Sequence, residues 1–95
     1  MLFVVDGIFR ANWDEEGDRE TLRRFETWTP ASGAEMTALF ARADGRGIFA
    51  LFEAQTAIAI YESLLPYTPF FEYEVVPVVE ASEAVPVLRR IRGLD

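Results

Sequence analysis

Apolar positions in this chain change period several times, and each change marks an element. Residues 1–9 (MLFVVDGIF) are rich in β-branched and aromatic side chains, which predicts a first strand with Gly7 as its candidate bulge. Its two faces, Leu2/Val4/Asp6/Ile8 and Phe3/Val5/Gly7/Phe9, are both mainly apolar, as expected of a strand covered on both sides. Residues 12–28 turn polar and charged, and Leu22, Phe25 and Trp28 recur every third residue to make one narrow helical stripe. Asn12 with Glu15 fits a capping box, and Gly17 places the regular helix from Asp18. The pairs Glu15/Arg19 and Glu20/Arg24 have the i,i+4 spacing that ties a helix surface together. Residues 29–33 (TPASG) break it.

Residues 34–53 read as a hairpin around Asp44-Gly45. That turn pairs Phe40 with Phe49, Leu39 with Ala50, Ala41 with Ile48 and Ala38 with Leu51, then Thr37 with Phe52 and Met36 with Glu53. Nearly every pair is apolar with apolar, which supports the register. Residues 54–65 (AQTAIAIYESLL) predict a helix with Ala57, Ile58, Tyr61, Leu64 and Leu65 on its buried side and Ile60 off that stripe. Pro66 stops it. Residues 70–80 form a last strand, with Phe71, Tyr73, Val75, Pro77 and Val79 on one face and Glu72, Glu74, Val76 and Val78 on the other. Pro77 cannot donate to a ladder, so this strand belongs at a sheet edge. Ser82 is expected to cap a short C-terminal helix bearing Val85, Leu88 and Ile91, with Pro86 tolerated near its first turn.

The order βαββαβ plus a helix is the ferredoxin-like split βαβ, an α+β fold with a four-stranded antiparallel sheet and two helices on one face. Its usual strand order, 4-1-3-2, puts the last strand on an edge, as Pro77 requires. Residues 1–95 make a single domain by length. The second sheet face is too apolar to stand open. Two such sheets face to face would make a homodimeric α/β barrel.

Composition sharpens this picture. The chain has 8 Phe, 3 Tyr and 2 Trp. A domain this small buries only roughly 60–65% of its unfolded surface. Aromatics spread over both sheet faces therefore point first to a partner sheet, and second to a pocket. The chain has no Cys, no His and no Lys. Disulfides, thiolate and imidazole catalysis, Cys or His metal sites, Schiff bases and phosphate-loop lysines are all out of reach. Carboxylates, Arg, Tyr, hydroxyls and backbone amides remain. No cofactor and no metal is expected. The net charge of −7 disfavours nucleic acid and anionic membranes. No run approaches the ~18 apolar residues of a membrane span, and residues 1–5 run straight into Asp6 without a basic flank. A cytoplasmic location is the expectation.

Candidate sites carry simpler readings beside them. The acidic run Asp14–Glu20 fails the calcium-loop pattern, since the sixth and twelfth positions are Arg19 and Phe25. A helix N-terminus explains it. Gly45-Arg46-Gly47 lies in a hairpin turn and lacks the phosphate-loop Lys, so a turn role for Gly45 suffices. Glu72 and Glu74 share a strand face and could act as acid and base with Arg42 or Tyr73 at a barrel cavity. They also suit a solvated edge strand. Arg42 is expected to pair with Glu53 or Glu72. Trp13, Trp28 and Tyr67 are large groups near loops that could edge an apolar pocket, or serve as core or interface. The candidate ligand-binding set is Arg42, Glu72, Tyr73, Glu74, Trp28 and Tyr67, with no catalytic residue assigned.

Three pieces of the chain carry a resemblance. They are Trp28-Thr29-Pro30 with Gly33, then residues 42–47 (RADGRG) leading to Glu53-Ala54, and Tyr61-Glu62 followed by Pro66, Pro69 and residues 71–78 (FEYEVVPV). Together they resemble the short bacterial proteins of domain-of-unknown-function family 3303. The resemblance spans residues 28–79 and implies a ferredoxin-like dimeric α/β barrel. It implies no established activity and no site residues. The leading expectation for function is a homodimeric, non-catalytic module holding a small apolar or aromatic molecule between sheet and helices. A cofactor-independent oxygenase or isomerase using carboxylate, Tyr or Arg chemistry is the alternative, on fold analogy alone. A structural or regulatory subunit is a third.

Overall fold

A computed structural model of the chain describes residues 1–11 and 14–94. The elements are β1 (Leu2–Phe9), α1 (Glu15–Thr27), β2 (Ala34–Ala41), β3 (Gly47–Ala54), α2 (Ala57–Leu64), a 3-10 turn (Leu65–Tyr67), β4 (Phe71–Val78) and α3 (Ala81–Arg92). The strands form one antiparallel sheet in the order β2-β3-β1-β4. This is the ferredoxin-like layout that the element order predicts, and Pro77 sits on the edge strand β4. Among the described residues no helix is long and apolar enough to cross a membrane.

The helix-facing side of the sheet is floored by Phe3 and Val5 from β1 and Ala50, Phe52 and Ala54 from β3, all buried. Against it pack Ala59, Ile60 and Leu64 of α2. The buried side of α2 therefore differs from the expected stripe. Ile58 is 66% exposed and Tyr61 61% exposed, with Leu65 also outward, while Ile60 lies in the core. Glu62 is exposed one turn after Ile58, so the charged side of the helix agrees with this rotation. Ser63 makes this rotation affordable. Its hydroxyl donates to the Ala59 carbonyl at 2.7 Å and accepts from the Ala31 amide at 2.9 Å, so it can be buried at no hydrogen-bond loss.

The hairpin register holds from Ala41↔Ile48 to Ala38↔Leu51, then breaks. A β-bulge at Thr37 pairs Met36 with Phe52 and Glu35 with Glu53. The expected pairs Thr37 with Phe52 and Met36 with Glu53 are thereby replaced. The bulge has a packing consequence: Met36 and Leu39, three apart, both come to the helix side. Gly7 is no bulge. It stays in an unbroken ladder, opposite Ile48 and Tyr73. Gly47 allows close approach of backbone rather than of a side chain, because a Cβ there would collide with the Gly7 carbonyl. The turn closes by Gly45 donating to the Arg42 carbonyl at 3.0 Å, with Gly45 at φ +74°.

Helix starts also differ from expectation. Asp14 caps α1 by accepting from the Gly17 amide at 2.9 Å, while the expected cap Asn12 and Trp13 lie outside the described residues. Leu22 is 67% exposed, so the α1 stripe narrows to Phe25 and Trp28. The pairs Glu15–Arg19 (3.0 Å) and Glu20–Arg24 (3.2 Å) form as spaced. Glu80, not Ser82, occupies the N-cap of α3, and Pro86 lies inside that helix. There the missing amide costs one helical bond, which the exposed position leaves to solvent.

The opposite sheet face carries Leu2, Val4, Ile8, Phe40, Phe49, Leu51, Val76 and Val78, and none of the described elements packs closely on it. Phe40 is 57% exposed there. None of α3 is buried, and the chain has a radius of gyration of 16.2 Å against about 12 Å for a compact domain of this length.

Candidate functional site

A chamber of about 90 Å³ lies between the sheet and the two helices α1 and α2. Val5, Ala50 and Phe52 form its floor, with Met36 and Leu39 delivered by the bulge. Thr21, Phe25 and Trp28 roof it from α1. Leu64 and Tyr67 close one side, and Phe71 and Tyr73 of β4 the other. Among the described residues no charged side chain lines it.

Aromatic contacts fix the walls. Trp28 meets Tyr67 edge-on with ring centroids 5.6 Å apart, and Phe25 stacks on Trp28 at 5.9 Å. Phe71 stacks on Tyr73 at 5.6 Å and on Phe9 at 4.7 Å. The Trp28 indole donates to the Ser63 carbonyl at 2.9 Å, so the α1 end of the roof is tied to α2. Arg24 adds a second tie, donating to the Pro66 carbonyl at 3.0 Å while its guanidinium lies over Phe70.

The chamber has one polar anomaly. The Tyr67 hydroxyl is buried and has no hydrogen-bond partner among the described residues. A buried hydroxyl without a partner is uncommon in a folded chain and asks for an explanation. Burial pushes the Tyr67 phenol up from its ordinary value, an effect the Arg24 charge offsets in part. Burial pushes the Tyr73 phenol up further, and the neighbouring Tyr67 adds to it. Both phenols are held neutral as hydrogen-bonding groups in an apolar setting.

The candidate residues divide between the two sheet faces. Trp28, Tyr67 and Tyr73 line the chamber together. Arg42, Glu72 and Glu74 do not reach it. Glu72 and Glu74 alternate with Tyr73 and stand on the far side of β4. Glu72 lies 3.6 Å from Arg10. Arg42 forms neither expected pair: it bonds Asp44 at 2.9 Å and Asp6 at 3.4 Å. Hydrogen bonding from Arg42, helped by the Arg46 amide, lowers the Asp44 carboxyl to about 2. This cluster clamps the hairpin turn across to the middle strand. The acidic run of α1 is likewise engaged locally, with Glu15 and Glu16 on Arg19 and Glu20 on Arg23 and Arg24. Ser63, Met36 and Phe25 are site residues that the sequence reading did not single out. For Ser63 a signal existed: it is the one small hydroxyl residue within the helix Ala57–Leu64.

A family model described as a domain of unknown function, DUF3303, matches residues 1–92. The chain belongs to that family. Among curated proteins none matches the chain.

Proposed function

We propose that this protein is a homodimeric binding module that holds a small, neutral, apolar or aromatic molecule between its sheet and its helices. The observation that carries the reading is the unpartnered Tyr67 hydroxyl on the wall of an otherwise apolar chamber. A ligand with one hydrogen-bonding atom would satisfy that hydroxyl, and its apolar body would fill the rest. The lack of charged lining among the described residues argues against anions and against carboxylate catalysis at this site. At about 90 Å³ the chamber is smaller than the ~150 Å³ cavity that takes benzene, so a single ring is the upper limit on the ligand. Dimerisation through the open sheet faces is supported by the row of uncovered apolar residues on them.

Phenol and benzene make the direct test. Phenol should raise the melting temperature at millimolar concentration and bind several-fold more tightly than benzene. Tyr67→Phe should erase that difference while leaving benzene binding intact, because one neutral hydrogen bond is worth about 1 kcal/mol. Equal binding of phenol to both proteins, or no binding of either probe, would overturn the reading. Light scattering at micromolar concentration tests the dimer independently, and a monomer there would sink it.

A further inference from the structure

Two apolar surfaces remain beyond the sheet face, and they differ in shape. One is convex. Ala84, Val87, Leu88 and Ile91 form a stripe along α3, with Val79 leading into it, and Leu88 and Ile91 are both exposed. The other is concave. A groove of about 320 Å³ runs between α2 and β4, lined by Phe3, Ile60, Tyr61, Leu64, Leu65 and Val75. It exists because α2 is rotated to bury Ser63, which turns Tyr61 and Leu65 outward.

We infer that α3 is an exchanged arm, whose apolar stripe seats in the α2–β4 groove of a second copy of this chain. An amphipathic helix laid in an apolar groove is a recurrent mode of recognition. Charge matches as well. The helix Ala81–Arg92 carries Glu83 against Arg89, Arg90 and Arg92, a net of +2, which leaves −9 on the rest of the −7 chain. On α2 the exposed Glu62 follows Tyr61 of the groove wall. Glu62 has no ion-pair partner among the described residues, and nor do the three arginines of α3. Exchange between copies, rather than folding back, follows from the direction of the arm. Only Val79 and Glu80 link it to β4, and it packs closely on no element of its own chain. A 12-residue helix adds about 18 Å, in keeping with a longest dimension of 55 Å. Two-fold symmetry would use the contact twice, each arm passing round the partner's edge strand.

The inference rests on the dimer reading above, and the test separates the two. Because the chain has no cysteine, single cysteines report contacts cleanly. A Leu65→Cys chain mixed with an Ile91→Cys chain should give the mixed disulfide on mild oxidation, well above the yield of Leu65→Cys with Thr27→Cys. Leu88→Glu should weaken the dimer at least tenfold, and Leu88→Met should leave it intact. Leu65, Leu88 and Ile91 are all exposed, so folding is spared. A wild-type dimer with no excess of mixed disulfide overturns the arm but keeps the dimer. A doubly substituted chain that closes only within itself overturns exchange. A wild-type monomer overturns both.

Discussion

The ring of Tyr73 lies over the bare α-carbon of Gly7. The two residues face each other across β1 and β4, and a Cβ on Gly7 would come within 2.9 Å of Tyr73 Cε1 and 3.2 Å of Ile48 Cδ1. An aromatic ring covering a glycine on a neighbouring strand restores the packing that the missing side chain forgoes. Here it also sets where the chamber wall stands, since Tyr73 stacks on Phe71.

Gly7→Ala should therefore push the Tyr73 ring off its stack. Overpacking of this kind costs about 1–2 kcal/mol, or roughly a 5–10 °C fall in melting temperature for a domain of this size. Thermal unfolding followed by near-ultraviolet circular dichroism checks it. An unchanged melting temperature and an unchanged tyrosine signal would show that the contact is not tight.

Ser63 is the second point of leverage. It joins α2 to the segment after α1 through its hydroxyl, and its carbonyl holds Trp28. Ser63→Ala removes the acceptor of the Ala31 amide, and leaving such a donor unpaired costs about 1–3 kcal/mol. The midpoint of urea unfolding should fall with no change in slope. Amide exchange at Ala31 should accelerate more than at residues of β1. A uniform acceleration would assign the loss to the core as a whole.

Asp44 gives a pH signature. Its carboxyl is depressed to about 2 in the folded chain, below the unfolded value of about 3.9. The clamp is therefore fully present above pH ~4 and is lost as pH falls through the folded value near 2. Titration of the Asp44 carboxyl carbon by NMR should show that low midpoint, and Arg42→Gln should bring it back toward the ordinary value. A midpoint near 4 in the wild type would mean that the turn is held by backbone alone.

Much of this fold was legible in the chain because local signals agreed. Asp44-Gly45 fixed a turn, the apolar pairs above it fixed the register, and Pro77 named an edge. Where the reading failed, pattern was absent. The helix at residues 57–64 carries a single charged residue, Glu62, so the apolar period alone could not choose between Ile58 and Ile60. That choice fell to Ser63, whose partners are a distant amide and a carbonyl one turn back. The bulge at Thr37 was hidden for a related reason, because its neighbours suit either sheet face. Trp28, Tyr67 and Tyr73 could be singled out as large groups with polar tips. That they converge, and that Glu72 and Glu74 stand apart from them, follows from strand alternation once the covered face is known.

The bulge at Thr37 gives β2 an unusual freedom. In a regular strand the loss or gain of one residue inverts every side chain beyond it. Thr37 has no pairing slot: Met36 and Ala38 already oppose consecutive residues of β3, Phe52 and Leu51. Removing it would straighten the strand and re-index nothing. Position 37 acts as a spacer, and a chain of this family could shorten there by one residue while keeping both faces of its sheet.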